Sequence, residues 1–182
     1  MIIGIDPSIN STGLCVYNPG TKFATYFIIT PKIPRKRPDT GYVDYLGYNK
    51  YETKGLEYSD KERSKIQNII QICARIKQIC DTFNITDAVM EGVSYGSTGS
   101  GALVDLAGLN FAIRLVLLQM NINLTIVAPT ELKKFAVANG GASKEQMVDA
   151  WLRIDTKMAK EHIKKNDDLA DAFFLARYTQ SE

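Results

Sequence analysis

The sequence is poor in several features that would each have pointed to a chemistry. Cysteine is scarce and odd in number: Cys15, Cys73 and Cys80 show no CxxC and no Cys/His ligand spacing. That pattern excludes a disulfide framework or a cysteine–histidine metal centre and reads as buried, reduced thiols. No basic segment precedes an apolar stretch at Met1, so no signal peptide is expected, and the reading is a cytoplasmic protein. An excess of one charge is missing too. Lysine and arginine number 22 against 20 acidic residues, a net charge of +2, so any case for a nucleic-acid partner must rest on local patches. The longest apolar run, ending at Leu118, reads as amphipathic or too short to cross a bilayer, and no membrane partner is expected. Repeats and low-complexity tracts are absent. The glycine-rich stretch GSTGSG lacks the GK[ST] ending of a phosphate-binding loop, which argues against a nucleotide cofactor.

What is present is an ordinary globular composition, 45% apolar and 23% charged, read as one domain over residues 1–182. Residues 1–6 (MIIGID), 13–18 (GLCVYN) and 22–30 (KFATYFIIT) read as strands. PSINST between the first two is rich in turn formers, with Gly13 free to take a positive φ. Being close in sequence, the three strands are expected to form an antiparallel meander. From about 31 to 60, prolines, glycines and tyrosines replace any helical period. This stretch reads as an insertion with some hairpin structure, basic at its start (Lys32, Arg35, Lys36, Arg37). Residues 61–83 carry Ile66, Ile69, Ile70, Cys73, Ile76, Cys80 and Phe83 at helical spacing. TDAVME (86–91) reads as a fourth strand, 102–120 as an apolar helix and NLTIV (123–127) as a fifth strand. TELKKFAVA after Pro129 reads as a helix that the following glycines stop. Ser143 caps the next helix, with Gln146 completing a capping box, and NDDLADAFFLARY closes the chain as a helix. The order implies an α/β fold, a mixed five-stranded sheet flanked by helices.

Two of these strands end on carboxylates. Asp6 follows apolar residues at the end of the first, and Glu91 ends the fourth. Burying an unpaired charge is costly, so each must be paired, capped or bound to a cation. Asp168 and Asp171, at i and i+3, share one helix face. Singly, each has a plain explanation. Asp6 can hydrogen-bond the turn that follows, Glu91 can be a solvated edge residue, and Asp168 in a first helical turn gains about 0.3–1 kcal/mol from the helix dipole. Converging from three distant segments, however, the four would repel one another unless cations neutralised them, and carboxylate-only sites select Mg²⁺ or Mn²⁺. Two such ions roughly 3.5–4 Å apart are the usual means of in-line phosphodiester cleavage, one activating the attacking water and the other stabilising the leaving oxygen.

Taken in order, the motifs resemble the RuvC family of Holliday-junction resolvases, within the ribonuclease H-like superfamily. GIDPSINSTG is similar to the family's first strand-and-turn motif and DAVMEGVSYG to its second. VAPTELKKFAVANGGASKEQM is similar to its proline-led helix and lysine-bearing helix start, and NDDLADAFFLA to its closing helix. The resemblance implies a ribonuclease H-like fold and an endonuclease that binds four-way DNA junctions as a homodimer and resolves them by paired symmetric nicks. It implies that Asp6, Glu91, Asp168 and Asp171 are the catalytic carboxylates and hold two Mg²⁺ ions, which Mn²⁺ can replace. Lys144 matches a position that contacts DNA phosphate near the scissile bond, and Lys133 and Lys134 match further basic positions. Tyr95 is the nearest match to a loop aromatic that inserts at the junction point, one residue later than in bacterial members. The 31–60 insertion departs from the compact bacterial pattern, as viral or phage members do, which would make the compartment a host cytoplasm. Arg35 and Lys36 extend the expected DNA surface, with a solvated basic face as their alternative reading.

Other functions would use the same residues differently. A flap or general branched-DNA nuclease would keep all four carboxylates. An actin-like ATPase also starts with a GID-plus-turn strand, but it needs two such domains and two phosphate loops. A non-catalytic junction-binding module would be expected to carry fewer negative charges facing DNA. The lone His162, in KEHIKK, is a candidate general base that reads more simply as a surface residue among basic neighbours. The tyrosines of 42–58 could stack on bases, and read more simply as pinning the insertion. Either long helix, 61–83 or 102–120, could supply the contact between two copies.

Overall fold

The computed structural model of the chain describes residues 1–33, 42–93, 100–160 and 166–178. Its centre is a six-stranded mixed sheet in the order β4-β3-β2-β1-β5-β6, one strand more than the sequence reading predicts. The expected antiparallel meander is formed by β1 (Ile2–Asp6), β2 (Thr12–Asn18) and β3 (Phe23–Thr30). The additional strand, β4 (Val43–Gly47), lies inside the stretch read as an insertion. It pairs with β3 in parallel, from Tyr26 opposite Val43 to Thr30 opposite Gly47, so β4 forms no hairpin with β3, and the described residues of that stretch show none. A parallel neighbour needs a connection of about a dozen residues rather than a tight turn, and β3 ends at Thr30 while β4 starts at Val43.

The remaining elements follow as α1 (Tyr58–Phe83), β5 (Asp87–Glu91), α2 (Ser100–Gln119), β6 (Asn123–Val127), α3 (Pro129–Val137), α4 (Lys144–Ile154), α5 (Thr156–Lys160) and α6 (Asp167–Tyr178). The short α5 has no counterpart in the sequence reading. The capping box at α4 is present: Ser143 N donates to Gln146 Oε1 at 2.9 Å, and Gln146 N donates to Ser143 Oγ at 3.3 Å.

Side chains alternate across the sheet and build a core on each face. Ile2, Cys15, Tyr17, Tyr26 and Ile28 pack with Trp151, Phe173 and Phe174 on the side of α4 and α6. Ile3, Ile5, Leu14, Val16 and Phe27 pack with Ile72, Ile76, Leu109 and Ile113 on the side of α1 and α2. Residues after β4 are pinned to this second face. The buried Tyr48 donates its hydroxyl to the Ile9 carbonyl at 2.5 Å, and the buried Asn68 of α1 accepts from Tyr51 N at 2.8 Å. Tyr51 and Tyr58 remain exposed.

In α2 one part of the sequence expectation, that the run is too short to cross a bilayer, does not hold. Gly101–Gln119 is long and apolar enough to cross a membrane, and only 22% of that stretch is buried. Leu109, Ile113 and Leu117 are fully buried against the sheet, while Val104, Phe111, Leu115 and Leu118 are each more than half exposed.

Candidate active site

The four carboxylates come near one another because α6 can lie directly on β1 and β2. A Cβ at Gly4 would stand 2.0 Å from the Ala172 carbonyl oxygen and 2.5 Å from the Ala176 nitrogen. One at Gly13 would stand 2.4 Å from the Asp168 carbonyl oxygen and 2.9 Å from its Cβ. No real side chain tolerates such distances, so glycine at both positions sets how closely the helix approaches. Gly13 therefore serves packing; the positive φ it is free to take is not adopted, and Gly55 is the one glycine with positive φ among the described residues.

The register then fixes who faces whom. Asp6 pairs with Gly13 across β1 and β2, which puts Asp168 against the residue opposite Asp6. Ile5 pairs with Met90 in the parallel β1–β5 ladder, so Asp6 and Glu91 follow at adjacent strand ends, about 4.8 Å apart by strand spacing. Asp171 sits one turn beyond Asp168 on α6.

The electrostatics record this crowding. Burial and the charges of Glu91, Asp171, Asp168 and Asp167 push the Asp6 carboxyl well above the usual carboxylate range. Burial and then Asp171 push Glu91 up to about 7, while Lys133 and Lys144 oppose the rise. Burial, Asp167 and Asp168 push Asp171 up to about 6 against the same two lysines. Asp168 is raised by burial, and a hydrogen bond from Ser11 pulls it back down. Lys133 thus lies close enough to the carboxylates to act on both Glu91 and Asp171. Its neighbour Lys134 is exposed on α3. Lys144, the first residue of α4, is ion-paired with Asp167, its side chain 77% exposed. Tyr95, Arg35, Lys36 and His162 lie outside the described residues.

Three further residues of the site are not among the candidates that the sequence points to, although Ser11 and Asp167 lie within its motifs. Ser11 Oγ donates to Asp168 Oδ2 at 2.5 Å. Asn110, buried in α2, donates Nδ2 to the Glu91 carbonyl at 2.9 Å, where the β1–β5 ladder has ended. Its one trace in the sequence is a polar residue in the middle of an apolar helix. Asp167 adds a fifth carboxylate and takes the Lys144 ammonium.

As the side chains stand, no group of three or more among the described residues is set to hold one ion. The donor set nevertheless fits a hard divalent cation. It is all oxygen, it is mutually repelled, and Asp171 Oδ1 is buried without a hydrogen-bond partner among the described residues.

The family model described as "Crossover junction endodeoxyribonuclease RuvC" matches residues 46–177. That span carries Glu91, Lys133, Lys144, Asp168 and Asp171 and begins after β3, so Asp6 joins them through the β1–β5 ladder. A comparison with curated protein sequences finds no match. Among solved structures the chain is similar to Thermus thermophilus RuvC, with a TM-score of 0.59 and 16% identity over 96% of this chain and 90% of that one. It is similar to T. thermophilus RuvC in complex with Holliday junction substrate, with a TM-score of 0.60 and 14% identity over 99% and 95%. It is also similar to fowlpox virus resolvase in complex with substrate Holliday junction DNA, with a TM-score of 0.50 and 15% identity over 100% of each. At such identities the likeness shows the fold, the ribonuclease H-like mixed sheet. With the family match covering well over half of its length, the chain belongs to the RuvC family of crossover junction endodeoxyribonucleases.

Proposed function

We propose that this protein is a divalent-metal-dependent endonuclease that resolves four-way DNA junctions, acting as a homodimer that nicks two strands symmetrically. One observation carries the reading: Asp6, Glu91, Asp168 and Asp171 gather from β1, β5 and α6 at one end of the sheet, with Asp171 Oδ1 buried and unpartnered among the described residues. Family membership supports a nuclease acting on crossover junctions, and two of the similar structures hold Holliday-junction DNA.

In this reading the four carboxylates hold two Mg²⁺ ions, for which Mn²⁺ can substitute, and no nucleotide takes part. When bound, the ions supply an activated water nucleophile and a counter-charge for the leaving oxygen. The protein's own part is placement. Asp6 and Glu91 ride on paired strand ends, Asp168 on the first turn of α6, where the helix dipole favours negative charge, and Asp171 one turn further along. Side-chain rotation draws their oxygens together. Lys133 and Lys144 bring positive charge to the same side and receive the DNA phosphate. An ion pair as exposed as Lys144–Asp167 is worth about 0–1 kcal/mol, so a phosphate can replace Asp167 at little cost. Lys134, Tyr95, Arg35 and Lys36 extend the surface along the DNA.

The second copy docks on the exposed stripe of α2. Val104, Phe111, Leu115 and Leu118 recur at helical spacing on one face, and Ile66 and Ile70 of the neighbouring α1 are also more than half exposed. An apolar face of this kind calls for a partner, and a two-fold copy matches the symmetry of an opened junction. The whole chain works as one domain, and its free, buried cysteines fit an intracellular setting.

The test is nicking of four-way, three-way, flap and linear duplex DNA in Mg²⁺, Mn²⁺ or EDTA. Paired symmetric nicks confined to the four-way substrate in either metal support the proposal. Equal nicking of flaps would make it a broader branched-DNA nuclease, and junction binding without nicking would make it a non-catalytic module.

A further inference from the structure

Among the described residues, Ser11 is the only hydroxyl that donates to any of the four carboxylates, and the segments that carry both partners of that hydrogen bond are fixed. The turn between β1 and β2 is stapled by Thr12, fully buried at the start of β2. Its Oγ1 accepts from Ser8 N at 3.2 Å and donates to the Ser8 carbonyl at 2.6 Å. One residue further, Gly13 is pressed against the Asp168 backbone. The hydroxyl is thus delivered by a closed turn and its acceptor by the first turn of α6.

We propose that Ser11 is a positioning residue for Asp168. By donating to Oδ2, it sets the plane of the carboxylate so that the remaining lone pairs face the ions shared with Asp6, Glu91 and Asp171. This inference rests on the metal-dependent reading above. An ionised carboxylate offers about four lone-pair sites and rotates easily about Cβ–Cγ, so one fixed donor is enough to choose which oxygen edge is presented. Outer hydrogen bonds to a ligating carboxylate are typically worth about 10–100-fold in metal affinity. The opposite role gives the opposite sign. If Ser11 merely competed with a cation for Oδ2, its removal would tighten metal binding.

The experiment titrates Mn²⁺ calorimetrically into the full chain without DNA, comparing wild type, Ser11→Ala and Ser11→Thr. Thermal unfolding and four-way junction binding are measured alongside, both in EDTA. The proposal expects Ser11→Ala to lose about tenfold or more in Mn²⁺ affinity and Ser11→Thr to restore it, with metal-free melting and junction binding unchanged. Wild-type-like or tighter Mn²⁺ binding by Ser11→Ala overturns it. So does a loss that Ser11→Thr does not restore, or one accompanied by lower metal-free melting in both variants. A wild-type chain that takes up no Mn²⁺ at all overturns the metal-dependent reading itself, and this inference with it, before any variant is compared.

Discussion

Replacing Glu91 with glutamine keeps the size of the side chain and removes one charge from the cluster, and in EDTA the variant is expected to be more stable than wild type at pH 8. Burial and Asp171 push the Glu91 carboxyl from 4.5 up to about 7 in the folded protein. A carboxyl raised in this way binds its proton more tightly folded than unfolded. Stability is therefore lost as pH climbs from the unfolded value through the folded one, and the whole penalty stands above about 7. At 1.36 kcal/mol per unit the ceiling is about 3 kcal/mol. Asp171 and Asp6 share the same repulsion and Lys133 and Lys144 offset part of it, so the gain for one substitution is about 1–2 kcal/mol. For a chain of this size that corresponds to a melting temperature about 2–8 °C higher. At pH 5 Glu91 is largely protonated in the folded wild type and the difference shrinks. Saturating Mg²⁺ lets the wild type recover, because it keeps the site that the cation stabilises. Differential scanning calorimetry across pH 5–8, in EDTA and in Mg²⁺, measures all of this. Parallel pH profiles for wild type and Glu91→Gln in EDTA would refute the reasoning.

Asp6→Asn should abolish junction cleavage in Mg²⁺ while leaving junction binding in EDTA measurable, as read by nicking and gel-shift assays. Lys144→Ala should weaken junction binding and reduce its salt slope by about one, measured by binding titrations across a range of salt concentrations. Asn110→Ala strips the Glu91 carbonyl of its donor, at a cost of about 1–3 kcal/mol; an unchanged melting temperature would mean that the hydrogen bond does not hold the strand end. Leu115→Glu on the exposed face of α2 should turn a dimer into a monomer in analytical ultracentrifugation, whereas a wild type already monomeric at micromolar concentration would count against that interface.

The sequence made the strands that carry Asp6 and Glu91 legible because each is an apolar run stopped by a carboxylate. It made the α4 cap legible because Ser143 and Gln146 have a local job. What escaped it depends on neighbours distant in the chain. β4 is a short segment whose strand character comes from Tyr26 to Thr30 of β3, and no local pattern announces a parallel partner. Gly13 looked like a turn glycine because nothing nearby shows that Asp168, far along the chain, presses on it. The hydrogen bonds of Ser11 and Asn110 likewise cross the fold, and the pairing of Lys144 with Asp167 ties together two helix starts that only the packing of α4 on α6 makes adjacent. Which face of α2 is buried is not legible, because an all-apolar helix shows no period from which to choose a buried side; the sheet makes that choice by covering Leu109, Ile113 and Leu117.

The most direct test of the central claim is anomalous diffraction from crystals of the wild-type chain soaked in Mn²⁺. The account predicts two manganese peaks about 3.5–4 Å apart, ringed by oxygens of Asp6, Glu91, Asp168 and Asp171. Manganese bound elsewhere, or no peak among these four side chains at saturating metal, would contradict it.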